Sequence, residues 1–325
     1  MKKTCLLCGR ALFVLAAMYA KPALPADYKV TPIALDQDDP DRTRVGRLSW
    51  RGGLVISSSD TRFGGLSGLL VGAKGARFLA VTDRGKWVTG SLSYRAGNLA
   101  GAHDIRIAPL RDPRGRRIAG KMSDSEGLAR GGSGEVFVSF ERRHRLLQYR
   151  GGPDQTPRKA KPLPAPADIR NLPNNGGIEA LTRTCDGRLL AVAEKSLARA
   201  PAVKAWIQTA EGWRGLSYRT VAGLRPTGAT TLPDCDIVFV ERSFSIAAGL
   251  DIRIVRVPAR AIHPDAVLQP EELARLSTPF TIDNFEGIAA RRDGSGDTLL
   301  YIVSDDNFSS VQRTLLVMFK LEDAP

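Results

Sequence analysis

Short apolar runs punctuate the chain at wide intervals, and the same phrase precedes each of them. It reads Leu66-Ser67-Gly68-Leu69, Ser125-Glu126-Gly127-Leu128, Ile178-Glu179-Ala180-Leu181 and Phe285-Glu286-Gly287-Ile288. Each copy is followed by a turn rich in Gly or Asp, then an apolar run, then an acid, over residues 77–83, 135–141, 188–194 and 299–305. A fainter copy at 228–232 runs into 236–241. Runs this short, rich in β-branched residues and bounded by turn residues, predict strands. Aligning Ser67, Glu126, Glu179, Thr230 and Glu286 gives steps of 59, 53, 51 and 56 residues. A strand-based repeat of roughly 40–55 residues marks the blades of a propeller. The expected fold is therefore all-β, a single β-propeller of six blades, each of four antiparallel strands. Five blades are visible as repeats.

The repeat has a chemical consequence. In a propeller the phrase opens the inner strand, so equivalent residues form a ring around the axis. Glu126, Glu179 and Glu286 converge at one mouth of the channel. The acids that close the second strands, Asp83, Glu141, Glu194, Glu241 and Asp305, form a second ring nearby. Crowded carboxylates repel and each loses hydration. A hard cation such as Ca²⁺ relieves that cost, and so do basic partners. Arg84, Arg142 and Arg242 directly follow such acids, so simple ion pairing is the competing reading for any one of them.

Outside the repeats the chain gives fewer signals. Lys2, Lys3 and Arg10 precede an apolar stretch at 11–20, the charged and apolar regions of a secretory signal. Residues 1–26 are read as that signal, cleaved after Ala20 or Ala26, and 27–325 as the propeller domain. The apolar stretch is short for a membrane span, so no stable membrane insertion is expected after cleavage, and the location is periplasmic or secreted. The whole chain has a formal net charge of +13, and loss of 1–26 removes four basic residues and no acid, leaving +9. That excess suits an anionic partner. No nucleic-acid-binding motif is present. Of the cysteines, Cys185 and Cys235 occupy matching turns in adjacent repeats, and a Cys185–Cys235 disulfide is expected in an exported protein. Strands at 47–50 and 53–57 are candidates to complete the last blade and close the ring. Residues 151–174 read as a long inter-strand loop. Pro270 ahead of Glu271 and Glu272 predicts one short helix over 270–276.

The repeats in order resemble a known family, the exported bacterial proteins described by the "esterase-like activity of phytase". The stretches that carry the resemblance are Gly64-Gly65-Leu66-Ser67-Gly68-Leu69, Thr82-Asp83-Arg84-Gly85, Asp124-Ser125-Glu126-Gly127-Leu128, Gly177-Ile178-Glu179-Ala180-Leu181, Glu241-Arg242-Ser243-Phe244, Asn284-Phe285-Glu286-Gly287-Ile288 and Ser304-Asp305-Asp306-Asn307. The resemblance implies a phytase-like β-propeller with a phosphoesterase or esterase activity. The Glu-Gly phrases are also similar to those of lactonase-type propellers, where the acid at that place binds the metal.

Three functions follow as expectations. The first is a Ca²⁺-assisted phosphoester or ester hydrolase acting at the channel mouth on a small-molecule or anionic ester. Glu126, Glu179 and Glu286 are its metal ligands, and Asp83, Glu179 and Asp305 its catalytic acids. Arg84, Arg142, Arg242 and His144 bind substrate. The second is a non-catalytic propeller that binds a ligand, glycan or protein partner. The third is a lactonase-type hydrolase. A serine esterase mechanism finds no support, since there is no Gly-x-Ser-x-Gly elbow and no candidate Ser–His–Asp order. A monomer is expected.

Overall fold

The structure is a computed structural model that describes residues 27–195, 201–221 and 223–322. The proposed signal segment lies outside the described residues. The repeats fold into antiparallel sheets arranged around an axis, and among the described residues there are five of them, not six. Blade 1 is the meander Leu66–Val71, Arg77–Thr82, Lys86–Arg95 and Asn98–Pro109. Blade 2 is Ser125–Arg130, Glu135–Phe140, Arg145–Gly152 and Gln155–Leu163. Blade 3 is Ile178–Arg183, Leu189–Ala193, Ala202–Thr209 and Gly212–Arg219, with the two-residue strand Val267–Leu268 added in parallel at its edge. Blade 4 is Arg225–Thr231, Ile237–Ser245, Gly249–Val257 and Glu271–Leu276.

Blade 5 explains the missing sixth. Its first three strands, Phe285–Arg292, Thr298–Ser304 and Thr314–Leu321, come from the end of the chain, and its fourth, Leu48–Ser58, comes from the beginning. The lead-in therefore closes the last blade, as its strand pattern suggested, and Tyr28–Ile33 extends that same sheet. Among the described residues no strands remain for another blade. The apolar core is divided accordingly into five clusters, one between each pair of neighbouring blades. One of them packs Tyr301 and Met318 of blade 5 against Ala80 and Val88 of blade 1 and so completes the circle.

Two further expectations are corrected. Residues 271–276 form a strand, not a helix. They alternate partly between exposed and buried positions and complete blade 4 against Gly249–Val257; edge pairing overrides the local helix-start signal. Residues 155–163, read as loop, are the outer strand of blade 2. The Lys- and Pro-rich composition that suggested a loop is that of an edge strand facing water. The Cys185–Cys235 disulfide forms, with its Cα atoms 5.5 Å apart, and ties the turns of blades 3 and 4 together.

The inner strands pack closely at the axis because the residue after each ring position is small. A Cβ on Gly68 would lie 2.8 Å from the carbonyl oxygen of Glu126, one on Gly127 2.6 Å from that of Glu179, and one on Gly228 1.9 Å from that of Glu286. The glycine of the repeated phrase is thus the contact between one inner strand and the next.

Candidate functional site at the channel mouth

Every inner strand carries a one- or two-residue irregularity in its pairing at the ring position. The breaks fall at Leu66/Gly68, Ser125/Leu128, Ile178/Ala180, Pro226/Gly228 and Phe285/Gly287. A bulge re-aims the side chain it leaves unpaired. The ring so defined is Ser67, Glu126, Glu179, Thr227 and Glu286. Blade 4 therefore enters at Thr227, three residues before the Thr230 expected from the repeat. The phrase there is Pro226-Thr227-Gly228-Ala229, in which only the glycine matches the other copies.

The second ring is corrected in the same blade. Glu241 pairs with Pro226 within the sheet, as Ala193 does with Ile178 in blade 3. Glu241 is fully buried, accepts a hydrogen bond from the Tyr218 hydroxyl at 2.9 Å and pairs with Arg253 at 2.9 Å. It belongs to the packing between blades 3 and 4. The residue after Glu241 is Arg242, so the second ring reads Asp83, Glu141, Glu194, Arg242 and Asp305. Blade 4 contributes no acid to either ring.

All of these residues except Ser67 and Thr227 line an open cavity of about 980 Å³. Two groups of three carboxylates stand within it, each with one oxygen per residue inside 4.8 Å of the others: Asp124, Glu126 and Glu141, and Glu141, Glu179 and Glu194. Glu141 joins the two. Its Oε1 accepts the backbone N–H of Gly176 at 2.7 Å and that of Gly177. The Asn174-Asn175-Gly176-Gly177 stretch is thus a clamp on this carboxylate, and Gly176, at φ +151°, adopts a backbone that favours glycine. Glu286 stands apart from both groups, held by the Asn284 amide at 2.9 Å and by Arg242 at 3.5 Å.

Burial raises the proton affinity of this set. Glu126 and Glu179 are pushed well above the ordinary carboxylate range, first by loss of hydration and then by neighbouring acids, Glu286 and Glu141 for the former and Glu194 and Glu126 for the latter. Glu286 is raised by burial and by Asp305. Burial carries Asp83 up to about 6, with Asp124 and Asp306 adding to it, and carries Glu141 and Asp305 up to about 7. Two buried carboxylate oxygens, Oδ1 of Asp83 and Oε2 of Glu179, have no hydrogen-bond partner.

The cations occupy distinct places. Arg142 pairs with Asp124 at the rim, and Arg225 lies 3.6 Å from Glu194. Arg84 is exposed and stacks on Phe308, its guanidinium carbon 3.2 Å from the ring centre. His144 sits behind the clamp: its Nε2 lies 3.0 Å from the Pro173 carbonyl and its Nδ1 is where a Cβ on Gly177 would reach. Arg142 and Arg242 line the cavity, whereas Arg84 and His144 do not. Asp124, Arg225 and Phe244 were not among the expected site residues, yet they line it. Asp124 and Arg225 each stand two residues ahead of a ring position, a place the sequence left unmarked because its residue type changes from blade to blade.

The comparison with known proteins agrees with this architecture. A family model described as "Phytase-like: Esterase-like activity of phytase" matches residues 61–308. The chain belongs to the phytase-like family. No curated protein matches it. Among solved structures, this phytase-like chain is similar to an alpha-L-arabinofuranosidase from Podospora anserina in complex with cellotriose, at 12% identity and a TM-score of 0.53, over 86% of this chain and 98% of that one. A catalytically inactive virginiamycin B lyase from Staphylococcus aureus with quinupristin aligns over 90% of this chain and 99% of its own, at 12% identity and a TM-score of 0.42. At this identity the likeness to the arabinofuranosidase is one of fold.

Proposed function

We propose that this phytase-like propeller is a calcium-assisted phosphoester hydrolase working at the acidic mouth. The observation that carries this reading is the pair of carboxylate groups hinged on Glu141, one of which includes Glu179 with its Oε2 buried and unpartnered. An all-oxygen donor set of this kind suits a hard divalent cation. Asp124, Glu126, Glu141, Glu179 and Glu194 would hold the ion. A bound cation supplies Lewis-acid polarisation of the phosphoryl oxygen and a water of lowered pKa.

The chain's own residues account for the rest. Arg242 and Arg225 bind and orient the phosphoryl group, a task that suits the planar guanidinium. Asp83 and Asp305, raised to about 6 and 7, sit in the range in which a carboxylate takes a proton from water near neutrality. In the reaction the water oxygen forms a bond to phosphorus as the bond from phosphorus to the alcohol oxygen breaks. One proton of the water goes to the carboxylate, and the departing alkoxide is protonated from solvent.

Calorimetric Ca²⁺ titration of the mature protein, with Glu126→Gln, Glu141→Gln and Glu179→Gln variants, tests the reading together with phosphatase assays. Binding lost in the variants, with turnover lost in parallel, is expected. No binding and no turnover would sink it. Binding without turnover would favour a propeller that only captures ligands, a reading to which the exposed Phe244 in the cavity lining also lends support.

A further inference from the structure

The symmetry of the mouth breaks at blade 4, and the break has a direction. Blade 4 supplies Thr227 and Arg242 to the two rings, and Arg225 stands directly opposite Arg242 across the strand pair. Like charges directly opposite one another destabilise a sheet. Glu194 and Glu286 approach the two arginines only to 3.6 and 3.5 Å, and the buried Nε of Arg242 has no partner. An anion placed between the two guanidinium groups satisfies what the protein leaves open.

The second strand of this blade is also longer. It has nine residues, against six, six, five and seven in blades 1, 2, 3 and 5. The excess continues beyond its last pair with the inner strand, Arg225–Arg242, and remains paired only with Gly249–Val257. This overhanging hairpin puts Phe244 opposite Leu250, and both line the cavity. Alternation along a strand places Arg242 and Phe244 on one face, about 7 Å apart. Phe244 is 68% exposed and Val311, on a loop of blade 5, is 87% exposed; Phe280 and Ile282 also line the cavity and add apolar surface. An exposed apolar bank beside a paired cation site is a binding surface for a molecule with both characters.

We infer that the substrate is an amphiphilic phosphomonoester, its phosphoryl oxygens on Arg242 and Arg225 and its alkyl or aryl group against Phe244, Leu250 and Val311. The inference rests on the hydrolase reading and narrows it. A polyphosphorylated polyol offers nothing to the apolar bank, and its further phosphates would face the carboxylate floor. Hydrolysis then yields inorganic phosphate and an apolar alcohol, with the water oxygen on phosphorus and the ester P–O bond broken.

The test is calorimetric binding of n-alkylphosphonates from methyl to octyl, with Ca²⁺ present, to the wild type and to Phe244→Ser and Val311→Ser. Both side chains are solvent-exposed, and a thermal melt checks that each variant is folded. The wild type is expected to gain about twofold in affinity per added methylene, as partial burial of each group implies, and the variants to flatten that gradient. Arg242→Gln is expected to weaken the whole series by a common factor. A flat series in the wild type, an unchanged gradient in both apolar variants, or no binding at any chain length overturns the inference. Turnover of the matched alkyl phosphates separates it from the reading beneath it. Chain-length-dependent binding with no turnover removes the hydrolase and leaves the amphiphilic ligand. Glycerol phosphate turned over with the same kcat/KM as octyl phosphate keeps the hydrolase and removes the amphiphilic substrate.

Discussion

Gly228 and Glu241 sit close together in blade 4 and fail in different ways when replaced. A methyl group at Gly228 meets the Glu286 carbonyl oxygen at 1.9 Å, and that oxygen belongs to backbone that the ring holds in place. Gly228→Ala therefore forces two inner strands apart, with an expected loss of about 3 kcal/mol and weaker phosphonate binding, because Arg225 stands on one of those strands. Glu241 is buried with Tyr218 and Arg253. Glu241→Ala leaves the Arg253 guanidinium short of its buried partner and is expected to cost about 3–5 kcal/mol, with Ca²⁺ affinity per folded molecule unchanged. Denaturant melts paired with calorimetry check both. Loss of Ca²⁺ binding in folded Glu241→Ala would return that residue to the acid ring. The sequence alone did not separate these two cases. The phrase around Gly228 keeps only its glycine, so Thr230 was as good a match as Thr227, and a one-residue slip at the end of the apolar run put Glu241 in the ring in place of Arg242.

At the scale of elements, the repeats were legible because each blade must bury the same faces: an inner strand against its neighbours and a second strand on both sides. That demand writes the apolar runs of 77–82, 135–140, 189–193 and 298–304 in much the same letters. Outer strands answer to water on one side and carry no such imprint, which is why 155–163 and 271–276 were misread. Blade number was hidden for a related reason, since the fifth blade borrows its outer strands from residues before the first repeat. The Cys185–Cys235 bridge was legible because its turns are equivalent. It joins residues 50 apart in sequence, so loss of the crosslink frees a loop of that size in the unfolded chain. Cys185→Ser with Cys235→Ser is expected to cost about 3 kcal/mol while leaving Ca²⁺ affinity within twofold, because the bridge lies in the turns between first and second strands, away from the ring positions. A large fall in affinity would show that blades 3 and 4 depend on it for their alignment at the mouth.

For the whole molecule, the acidic mouth sets how stability responds to pH. Asp83, Glu141 and Asp305 bind protons more tightly in the folded state, at about 6, 7 and 7, than in the unfolded chain, where carboxylates titrate near 4. A folded state that binds more protons loses stability as pH rises. The contribution of these groups is complete below about pH 4 and is lost as pH climbs through 6 to 7. The ion-free protein is thus expected to melt roughly 5 °C lower at pH 8 than at pH 5, opposite to the trend set by acids that gain a cation on folding, such as Asp186 with Arg188, whose carboxyl is held at about 2. Glu126→Gln or Glu179→Gln removes part of the repulsion and is expected to raise the ion-free melting temperature at pH 8. Added Ca²⁺ changes the sign of the dependence, since the ion binds the deprotonated carboxylates and stabilises by about 4 kcal/mol at a thousandfold excess over its Kd. Calorimetric melts at pH 5 and pH 8, with chelator and with Ca²⁺, measure all four conditions. If the ion-free protein is as stable at pH 8 as at pH 5 and Ca²⁺ shifts neither melt, the carboxylates of the mouth are neutralised by the surrounding arginines, and a metal-assisted reaction there loses its footing.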